Sequence, residues 1–509
     1  MKINLEAAIM IASSNYFALQ SIKNKNKALK QLITERWRNY LPSVGLSYIR
    51  QRYIIQDSTD AISHEIRLNI EQVIYDGGRR SLSLDIAKLD EALSRRDFVV
   101  IYNKLRLDVQ EAFFATLAAS SKIVLHKKSL QRGLYQLKQA KLELAHGFST
   151  SIQVMSVAAR VEEIRLALLQ ARREYFQSIN NLKLIMNVDY ETELFIEGDL
   201  LKDYYLYFPK IDLRKLVTRA KSERAEVLRS KVSIFKLKKE KQLAENAWIP
   251  QFSVGAYGGR FGTEFPLRED VWGFNFKVTV PLGRSTNTTN FNSGVRPNSL
   301  AATGIRNDNR NFNNSTNSTT QFYDNMGYDR RVLESKIKLG EALWDRRQLV
   351  QKIAIEVNNA ADQTKIAWDM IHTGNGNVYF RYHSLKLMSN KLDVGDAKRA
   401  DILFAETELV KAQDSLVNAF SNYIVSAYRL EWVSGLRPGQ LHLFKYKPGE
   451  GNTLLGEILD DSFERIRSLD FKLDKDRYII EKYKDAPNEK GMIIDTIDIY
   501  KKGGKNEKK

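Results

Sequence analysis

Residues 41–48 of this chain read LPSVGLSY, and they decide the fold because they join the end of a helical pattern to the start of a strand-like one. A proline ends a helix, and alternating apolar and small or polar residues are typical of a strand with one apolar face. Residues 249–256, IPQFSVGA, repeat this arrangement 208 positions later. The helical patterns before the two prolines begin at Asn4 and Asp212, at the same offset, and the first predicts one helix over about 4–39. The chain therefore contains a duplicated unit.

Each unit contains a second strand-like stretch, and the two faces of this stretch differ in polarity. The predicted strands cover about 43–55 and 63–75 in the first unit, and about 251–260 and 271–282 in the second. The apolar positions of the second strands are Ile66, Leu68, Ile70, Trp272, Phe274, Phe276 and Val278. The positions that alternate with them include Glu65, Arg67, Asn69, Glu71 and Lys277. This pattern predicts two hairpins, each with one apolar and one polar face.

Long helices follow the hairpins. Residues 79–146 and about 329–394 contain no proline, and each predicts a helix of about 100 Å at about 1.5 Å per residue. Gly147 and Gly395 follow these helices at an offset of 248, and a shorter helix returns after each glycine. We expect a kink or bulge at residues 373–377, TGNGN, because glycine costs about 1 kcal/mol relative to alanine within a helix.

The duplication divides the chain into a first repeat (1–210), a second repeat (211–440) and a C-terminal extension (441–509). The offset grows from 208 to 248 because the second repeat contains an insert over about 284–328. This insert is rich in Asn, Ser and Thr, and its composition predicts a flexible loop. The extension contains one predicted helix over about 454–469 and ends in a Lys-rich run that we expect to be disordered.

The composition argues against several classes of function. The net charge of +18 is spread along the helices among acidic residues and accompanies no nucleic-acid-binding motif, so nucleic acid is not an expected partner. The chain has no cysteine and six scattered histidines, so we expect no metal site. No nucleophile, base and binding loop occur together, and therefore neither a catalytic site nor a cofactor is expected. No apolar run reaches the roughly 18 residues that a membrane-spanning helix needs.

The N-terminus resembles a signal peptide only weakly. Residues 7–12, AAIMIA, align with 215–220 in the second repeat, where a signal cannot occur. We therefore interpret them as part of the first helix of a mature chain, and we expect that an export signal is not present in this sequence.

The strand count predicts an oligomer. Four strands with alternating faces cannot close into a barrel, and an open sheet would leave its edges and its apolar face exposed. Three chains would supply twelve strands, which can close with their apolar rows toward lipid and their polar rows inward. If the strands face a membrane, assembly is thus required.

Three motifs make the sequence similar to the TolC-like outer-membrane efflux proteins. Residues 246–250, NAWIP, precede a strand, and residues 72–79, QVIYDGGR, join a strand to a long helix. Residues 394–395, VG, are followed by 401–403, DIL, at the far end of the second long helix. Together, in order and on a duplicated framework, they resemble this family over about residues 4–440.

The resemblance implies a mainly α fold with a membrane β-barrel, in which a homotrimer forms a twelve-stranded barrel in the outer membrane of a diderm bacterium. An α-helical barrel would continue from it through the periplasm. A periplasmic adaptor protein would dock at the far end and link the channel to an inner-membrane transporter. Solutes or proteins would pass without chemical change and without a cofactor. The sheet would contact outer-membrane lipid through the apolar positions named above, and the polar positions would line the lumen.

The resemblance also implies a periplasmic entrance. An acidic residue at the position of Asp401 faces the pore in this family, and a ring of carboxylates would favour cations. A second position that is acidic in the family is occupied by Phe404 here, and Gln153 occupies the position in the first repeat that is equivalent to Asp401. We therefore expect a less acidic entrance, with an apolar constriction at Phe404. The alternative is that Asp401 only stabilises the N-terminus of its helix.

The turns at the far end are the expected adaptor-docking surface. They consist of His146, Gly147, Phe148, Ser149, Val394, Gly395, Asp396 and Ala397. Lys398 and Arg399 could form ion pairs across neighbouring helix hairpins and hold the entrance shut, or they could simply be solvated.

The leading interpretation is the outer-membrane channel of a tripartite efflux or type I secretion system. The main alternative is a periplasmic helical scaffold or adaptor protein whose strands form a soluble domain. Within the family, a duct for heavy metals or for proteins is an alternative to one for drugs.

Overall fold

The computed structural model describes residues 2–53, 61–200, 203–296 and 311–446. The helices are α1 (Leu5–Asn15), α2 (Phe17–Arg38), α3 (Arg79–Ala145), α4 (Ser151–Met186), α5 (Leu213–Glu223), α6 (Ala225–Glu245), α7 (Tyr328–Asp393) and α8 (Arg399–Val433). The strands are β1 (Lys2–Ile3), β2 (Ser43–Tyr53), β3 (Ala61–Tyr75), β4 (Phe195–Ile196), β5 (Tyr204–Leu206), β6 (Gln251–Gly262), β7 (Glu269–Leu282), β8 (Ser285–Arg296), β9 (Asn311–Gln321) and β10 (Phe444–Tyr446). Across these ranges, no helix is both long enough and apolar enough to cross a membrane.

The chain divides into two units. The first comprises Met1–Leu200 and Leu206–Lys445, and it contains both repeats. The second comprises Leu201–Tyr205 and Tyr446–Lys509, and within it the ring centroids of Tyr204 and Tyr446 are 5.2 Å apart. The predicted helix at 454–469 and the predicted disordered end lie outside the described residues.

The first helix of each repeat is broken, which the sequence did not predict. Tyr16 separates α1 from α2 with ψ of 108°, and Arg224 separates α5 from α6 with ψ of 138°, at the same offset of 208 residues. The C-terminal caps of α4 and α8 pack at these breaks. The Asn187 side-chain amide donates to the Asn15 carbonyl (3.3 Å), and a Cβ on Gly435 would lie 3.4 Å from the Arg224 Cα. A distant segment therefore accompanies the change of helix direction in each repeat.

The long helices α3 and α7 are continuous. The residues 373–377, where a kink or bulge was predicted, do not interrupt α7, which runs through them as α-helix. Gly374 permits a close approach of α7 to α8, since a Cβ at this position would lie 3.1 Å from Leu416 Cδ1. This packing accounts for a glycine that local propensity disfavours.

The sheet has six strands in the order β2-β3-β6-β7-β8-β9, all antiparallel. The prediction of four strands was wrong, and so was the prediction of a flexible loop for the described parts of the insert, because Ser285–Arg296 forms β8 and Asn311–Gln321 forms β9. Residues 297–310 of the insert lie outside the described residues. The predicted β2 end at residues 54–55 lies outside the described residues. A register shift between Val73 and Tyr75 marks a β-bulge where β3 approaches α3.

The strand register places the side chains of the sheet on two faces. Leu46, Leu68 and Trp272 lie on one face, because Leu46 pairs with Leu68, Leu68 with Gly258, and Gly258 with Trp272. Arg67 and Asn69 lie on the other face, together with Tyr257 and Asn275. The main helical core lies between α3 and α8, where Phe113, Phe114, Phe420 and Tyr423 are fully buried.

Candidate functional site

The two turns between the long and the return helices have the same backbone. Gly147 has φ of +79° and Gly395 has φ of +85°, the left-handed region in which glycine is favoured. The N–H of Phe148 donates to the Glu143 carbonyl and the N–H of Asp396 donates to the Lys391 carbonyl, both at 2.8 Å. This is the bonding of a Schellman motif. The duplication thus extends to the main-chain conformation at the far end of the helices.

The helix that follows each of these turns is capped at its N-terminus by one of its own first residues. Gln153 Oε1 accepts from the Thr150 N–H at 3.0 Å, and Asp401 Oδ2 accepts from the Lys398 N–H at 3.1 Å. Each residue is the third of its helix, where such a bond satisfies a donor that the helix cannot. The structure therefore gives Asp401 and Gln153 a shared capping role, which is distinct from the favourable charge at the helix N-terminus that was the alternative interpretation of Asp401.

Asp401 also has the exposure that a pore residue needs. Ile402 and Leu403 are buried, whereas Asp401 and Phe404 are exposed on one face of α8, three residues apart. Leu403 joins a core with Ala140 of α3 and Val157 of α4. That core fixes the rotation of α8 and so determines which face is presented.

Two substitutions separate the capping role of Asp401 from a charge role. Asp401→Asn keeps an oxygen that can accept from the Lys398 N–H, whereas Asp401→Ala removes it and should destabilise the helix start by about 1 kcal/mol. If the carboxylates form a ring at the entrance, both variants should reduce the cation selectivity of the channel in planar bilayers by a similar factor. Selectivity equal to that of the unmodified chain in both variants would leave Asp401 as a cap only.

Phe404 lies beside a cation. Its ring is 52% exposed, and the Arg160 guanidinium carbon is 5.7 Å from its centroid. Arg160 in turn donates to Glu163 at 2.6 Å. The apolar constriction predicted at Phe404 therefore has a basic group of α4 against it, and its place in a pore stays a prediction.

Arg399 joins the two repeats at the far end. Its Nε and Nη2 donate to Glu143 Oε2 and Oε1 at 2.9 and 2.5 Å, and its Nη1 donates to Gln136 Oε1 at 2.6 Å. The pair connects the start of α8 with the end of α3 within one chain. These hydrogen bonds hold the pKa of the Glu143 carboxyl below its usual range and raise the pKa of Arg399. Whether the pair keeps an entrance shut stays a prediction.

The Arg399–Glu143 pair predicts a pH-dependent contribution to stability. Because the pKa of Glu143 is lower in the folded state, the contribution is present above the unfolded pKa of about 4.3 and is lost as pH falls through the folded pKa. Glu143 is 36% exposed, so we expect Arg399→Gln to cost at most about 1 kcal/mol at pH 7. The difference in thermal unfolding temperature from the unmodified chain should shrink as pH falls below the unfolded pKa and should disappear once pH lies below the folded pKa of Glu143. The double variant Glu143→Arg/Arg399→Glu should recover stability at pH 7; no recovery would contradict a direct pair.

Further polar pairs link α3 to α8 along their length, and the sequence did not reveal them. Arg429 Nη2 lies 2.6 Å from Glu111, His126 Nε2 lies 2.8 Å from Asp414, and Arg132 Nε donates to Glu406 at 2.7 Å. With Arg399 and Glu143 they form a ladder, since each step toward the end of α3 matches a step toward the start of α8. These pairs can be recognised in the sequence only when α3 and α8 are aligned antiparallel, because no local motif contains both partners of a pair.

The predicted docking turns are exposed. Phe148 and Val394 are each 85% exposed, and Gly147, Gly395 and Asp396 are exposed too. Two large apolar side chains that face solvent at the ends of two hairpins are available for contact with another protein. Ile152 and Met155 of α4, which sequence reasoning missed, extend this apolar surface at 77% and 70% exposure.

The polar face of the sheet contains an ordered charged group. Glu65 and Arg67 form a salt bridge, and the Arg67 guanidinium carbon lies 4.8 Å from the centre of the Tyr257 ring. Glu65 is only 4% exposed, whereas on the opposite face Phe274 is 59% exposed and Leu46 is 75% exposed. The face that is expected in a lumen is thus covered by its own side chains, and the apolar face is open. Among the described residues no cluster of His, Asp and Glu could hold a metal ion.

Comparisons with known proteins agree with this arrangement. The sequence model of a family described as outer membrane efflux protein matches residues 9–188. The fold is similar to that of the Campylobacter jejuni CmeC outer membrane channel, with a TM-score of 0.65, 13% identity, and coverage of 90% of each chain. It is also similar to the Neisseria gonorrhoeae MtrE outer membrane channel in its open state, with a TM-score of 0.66, 14% identity, and coverage of 85% of this chain and 89% of that one.

A third similar structure is the outer membrane protein VceC of Vibrio cholerae, with a TM-score of 0.64, 12% identity, and coverage of 85% of this chain and 96% of that one. At these identities the likeness concerns the fold. No curated protein matches the chain in sequence.

Proposed function

We propose that this chain, whose residues 9–188 match the model of the outer membrane efflux protein family, forms the outer-membrane channel of a tripartite efflux system and conducts solutes passively out of the cell. The observation that carries the proposal is the sheet with one exposed apolar face. Large apolar side chains rarely form such a continuous exposed face on a soluble protein. In a bilayer the same face is favourable, because lipid then covers it.

The apolar face is continuous across neighbouring strands, as the row of paired residues that contains Trp272 shows. Leu46, Leu68 and Trp272 are 75%, 47% and 44% exposed, and the neighbouring row contains Val44, Ile70 and Phe274 at 60%, 41% and 59%. A periplasmic scaffold or adaptor with a soluble β domain would leave both rows in water. The exposed rows therefore favour the channel over this alternative.

A homotrimer is the assembly that we propose. Exposed apolar side chains also follow the return helix α4 and the long helix α7, among them Leu166 and Phe176 at 57% and 62%, and Ile355 and Met370 at 60% and 53%. Contacts between copies would bury these side chains in a ring of helices. In this arrangement the helices cross the periplasm, the turns at Gly147 and Gly395 contact a periplasmic adaptor, and the adaptor connects the channel to an inner-membrane transporter.

The proposal predicts how the protein behaves in membranes. The full-length protein should be extracted only with detergent, should run as an oligomer that dissociates on heating, and should form ion-conducting channels in planar bilayers. A monomer that is released from membranes by salt alone would exclude the channel and would favour the scaffold.

The docking role of the turns predicts a loss of partner contact without a loss of assembly. No atom lies within 4 Å of a Cβ built on Gly147 or Gly395, so a substitution at these positions has open space at the Cβ and strains the left-handed backbone. We expect Gly147→Val/Gly395→Val to reduce in vivo cross-linking to the adaptor by about tenfold, because the turn must change shape. Gly340→Ala, in an open helical position of α7, is the matched control and should leave cross-linking unchanged. Full cross-linking in the double variant would place docking elsewhere.

A further inference from the structure

We propose that β8 and β9 form part of the channel wall and that β9 pairs with β2 of a neighbouring copy of this chain, so that three chains close a barrel of eighteen strands. This inference rests on the proposed function, and it changes the wall from the twelve strands that the duplication alone predicts. The surface involved is the pair of outer strands of the sheet, and its partner is a second copy of the chain.

The first argument is the register of the inserted hairpin. β8 pairs with β7 from Trp272–Val295 to Leu282–Ser285, which covers most of β7. β9 pairs with β8 from Arg296–Asn311 to Thr286–Gln321. The hairpin is therefore as long as the strands that it extends, and it continues the same sheet.

The second argument is the distribution of apolar side chains in the hairpin. Phe291, Val295 and Phe312 are the only large apolar residues of β8 and β9, and all three lie on the apolar face, because Phe291 pairs with Phe276, and Val295 pairs with both Trp272 and Phe312. The ring centroids of Phe276 and Phe291 are 6.1 Å apart, and those of Trp272 and Phe312 are 6.3 Å apart. The apolar face of the sheet thus reaches β8 through Phe291 and Val295, and β9 through Phe312.

The third argument is charge. The stretches 285–295 and 312–321 contain no charged residue, although 28% of the chain is charged. On the polar face the hairpin presents groups such as Asn290, Asn292 and Ser315, which continue the row of Lys277 and Asn275. A segment that lies in a bilayer must avoid charge on its lipid face, whereas a surface loop has no such constraint.

The fourth argument is the direction of the outer strands. Six antiparallel strands place β2 and β9 at the two ends of the sheet and running in opposite directions. Backbone groups at a sheet edge must find partners within a membrane, where water is absent. β9 of one copy and β2 of the next run antiparallel to each other, so they can supply these partners to one another.

Disulfide cross-linking tests the pairing against the twelve-stranded alternative. The chain has no cysteine, so introduced pairs have no background. Asn317→Cys in β9 is combined in turn with Gly45→Cys, Ser47→Cys or Ile49→Cys in β2, all on the polar face. Within one chain the two cysteines lie on the outer strands of a six-stranded sheet, and these strands are roughly 24 Å apart. A disulfide can therefore form only between copies.

We expect oxidation in native membranes to yield disulfide-linked multimers with at least one of these three combinations. The matched control places the other cysteine on β7, as Asn275→Cys with the same β2 positions, and it should yield none. Cross-linking from β7 and not from β9 would overturn the proposal and would put β7 beside the neighbouring β2. A heat-sensitive oligomer with no cross-link from β9 would also overturn it. An absence of any oligomer would instead overturn the proposed channel.

A second pair of variants tests the faces of the hairpin without relying on disulfide geometry. Phe291→Lys places a charge on the apolar face, and Asn292→Lys places it one residue away on the polar face. We expect the first to lower the amount of oligomer recovered from outer membranes by about tenfold and the second to leave it within about twofold. Equal recovery of the two variants would show that the hairpin does not face lipid.

Discussion

Gly77→Val is expected to abolish assembly of the proposed oligomer. Gly77 lies between β3 and α3 with φ of +66°, and a Cβ at this position would lie 2.6 Å from Ile249 Cβ, at the helix-to-strand junction of the second repeat. The Gly77 carbonyl also accepts from the Asn246 side-chain amide at 2.7 Å, so the backbone is held from two sides. A left-handed backbone costs a non-glycine residue about 1–2 kcal/mol, and overpacking adds about 1–3 kcal/mol.

The neighbouring glycine provides the control for Gly77. Gly78 has φ of +80°, but the nearest atom to its Cβ would be 3.9 Å away, so Gly78→Ala tests the backbone strain without the clash. We expect Gly78→Ala to keep most of the heat-sensitive oligomer and Gly77→Ala to lose most of it, with Gly77→Val more severe. The yield of oligomer in isolated outer membranes measures this. Equal yields from Gly77→Ala and Gly78→Ala would mean that contact between the junctions is unimportant.

Phe114→Ala is the second substitution for which we expect a large effect. Phe114 of α3 is fully buried, its ring centroid lies 5.7 Å from that of Phe113 and 5.8 Å from that of Tyr428, and its carbonyl accepts from Ser421 Oγ at 3.2 Å. Truncation leaves a cavity between the two repeats, and a buried Phe→Ala change costs about 3–5 kcal/mol. Thermal unfolding of the detergent-solubilised protein, followed by circular dichroism, should show a clear decrease in the midpoint temperature.

Phe114→Leu serves as the control for this core position. It retains most of the volume, and substitutions of this kind usually cost less than about 1.5 kcal/mol. A midpoint for Phe114→Ala as high as that for Phe114→Leu would indicate that the α3–α8 core does not determine stability. Phe114 lies far from the turns at Gly147 and Gly395. For either variant, adaptor cross-linking should therefore stay normal in the protein that does assemble.

Much of this fold follows from local signals in the sequence. Pro42 and Pro250 end the first helices, Gly147 and Gly395 adopt positive φ at the turns, and the alternation around Ile66–Ile70 and Trp272–Val278 gives the faces of the sheet. These features depend on residues close in sequence, and duplication repeats each of them. A pattern that appears twice at one offset is strong evidence for a structural unit.

The features that the sequence did not predict depend on distant partners. The break at Tyr16 involves Asn187, and the glycine-rich part of α7 is accommodated by Leu416. The insert has the composition of a loop, but β7 supplies hydrogen-bond partners along its length and makes it a hairpin. The same holds for the expected entrance, where the bidentate pair of Arg399 with Glu143 joins residues that are 256 positions apart.

The hairpin of β8 and β9 has a geometric consequence for the join between sheet and helices. Next to the sheet, α2, α3, α6 and α7 lie side by side, as their successive contacts show. Four helices at about 9–10 Å spacing cover an arc of roughly 36–40 Å. Four strands at about 4.8 Å spacing, tilted about 40°, would cover only roughly 25 Å, whereas six cover roughly 38 Å. With the hairpin in the wall, the perimeter of the sheet equals that of the helices, and the duct need not narrow where one gives way to the other.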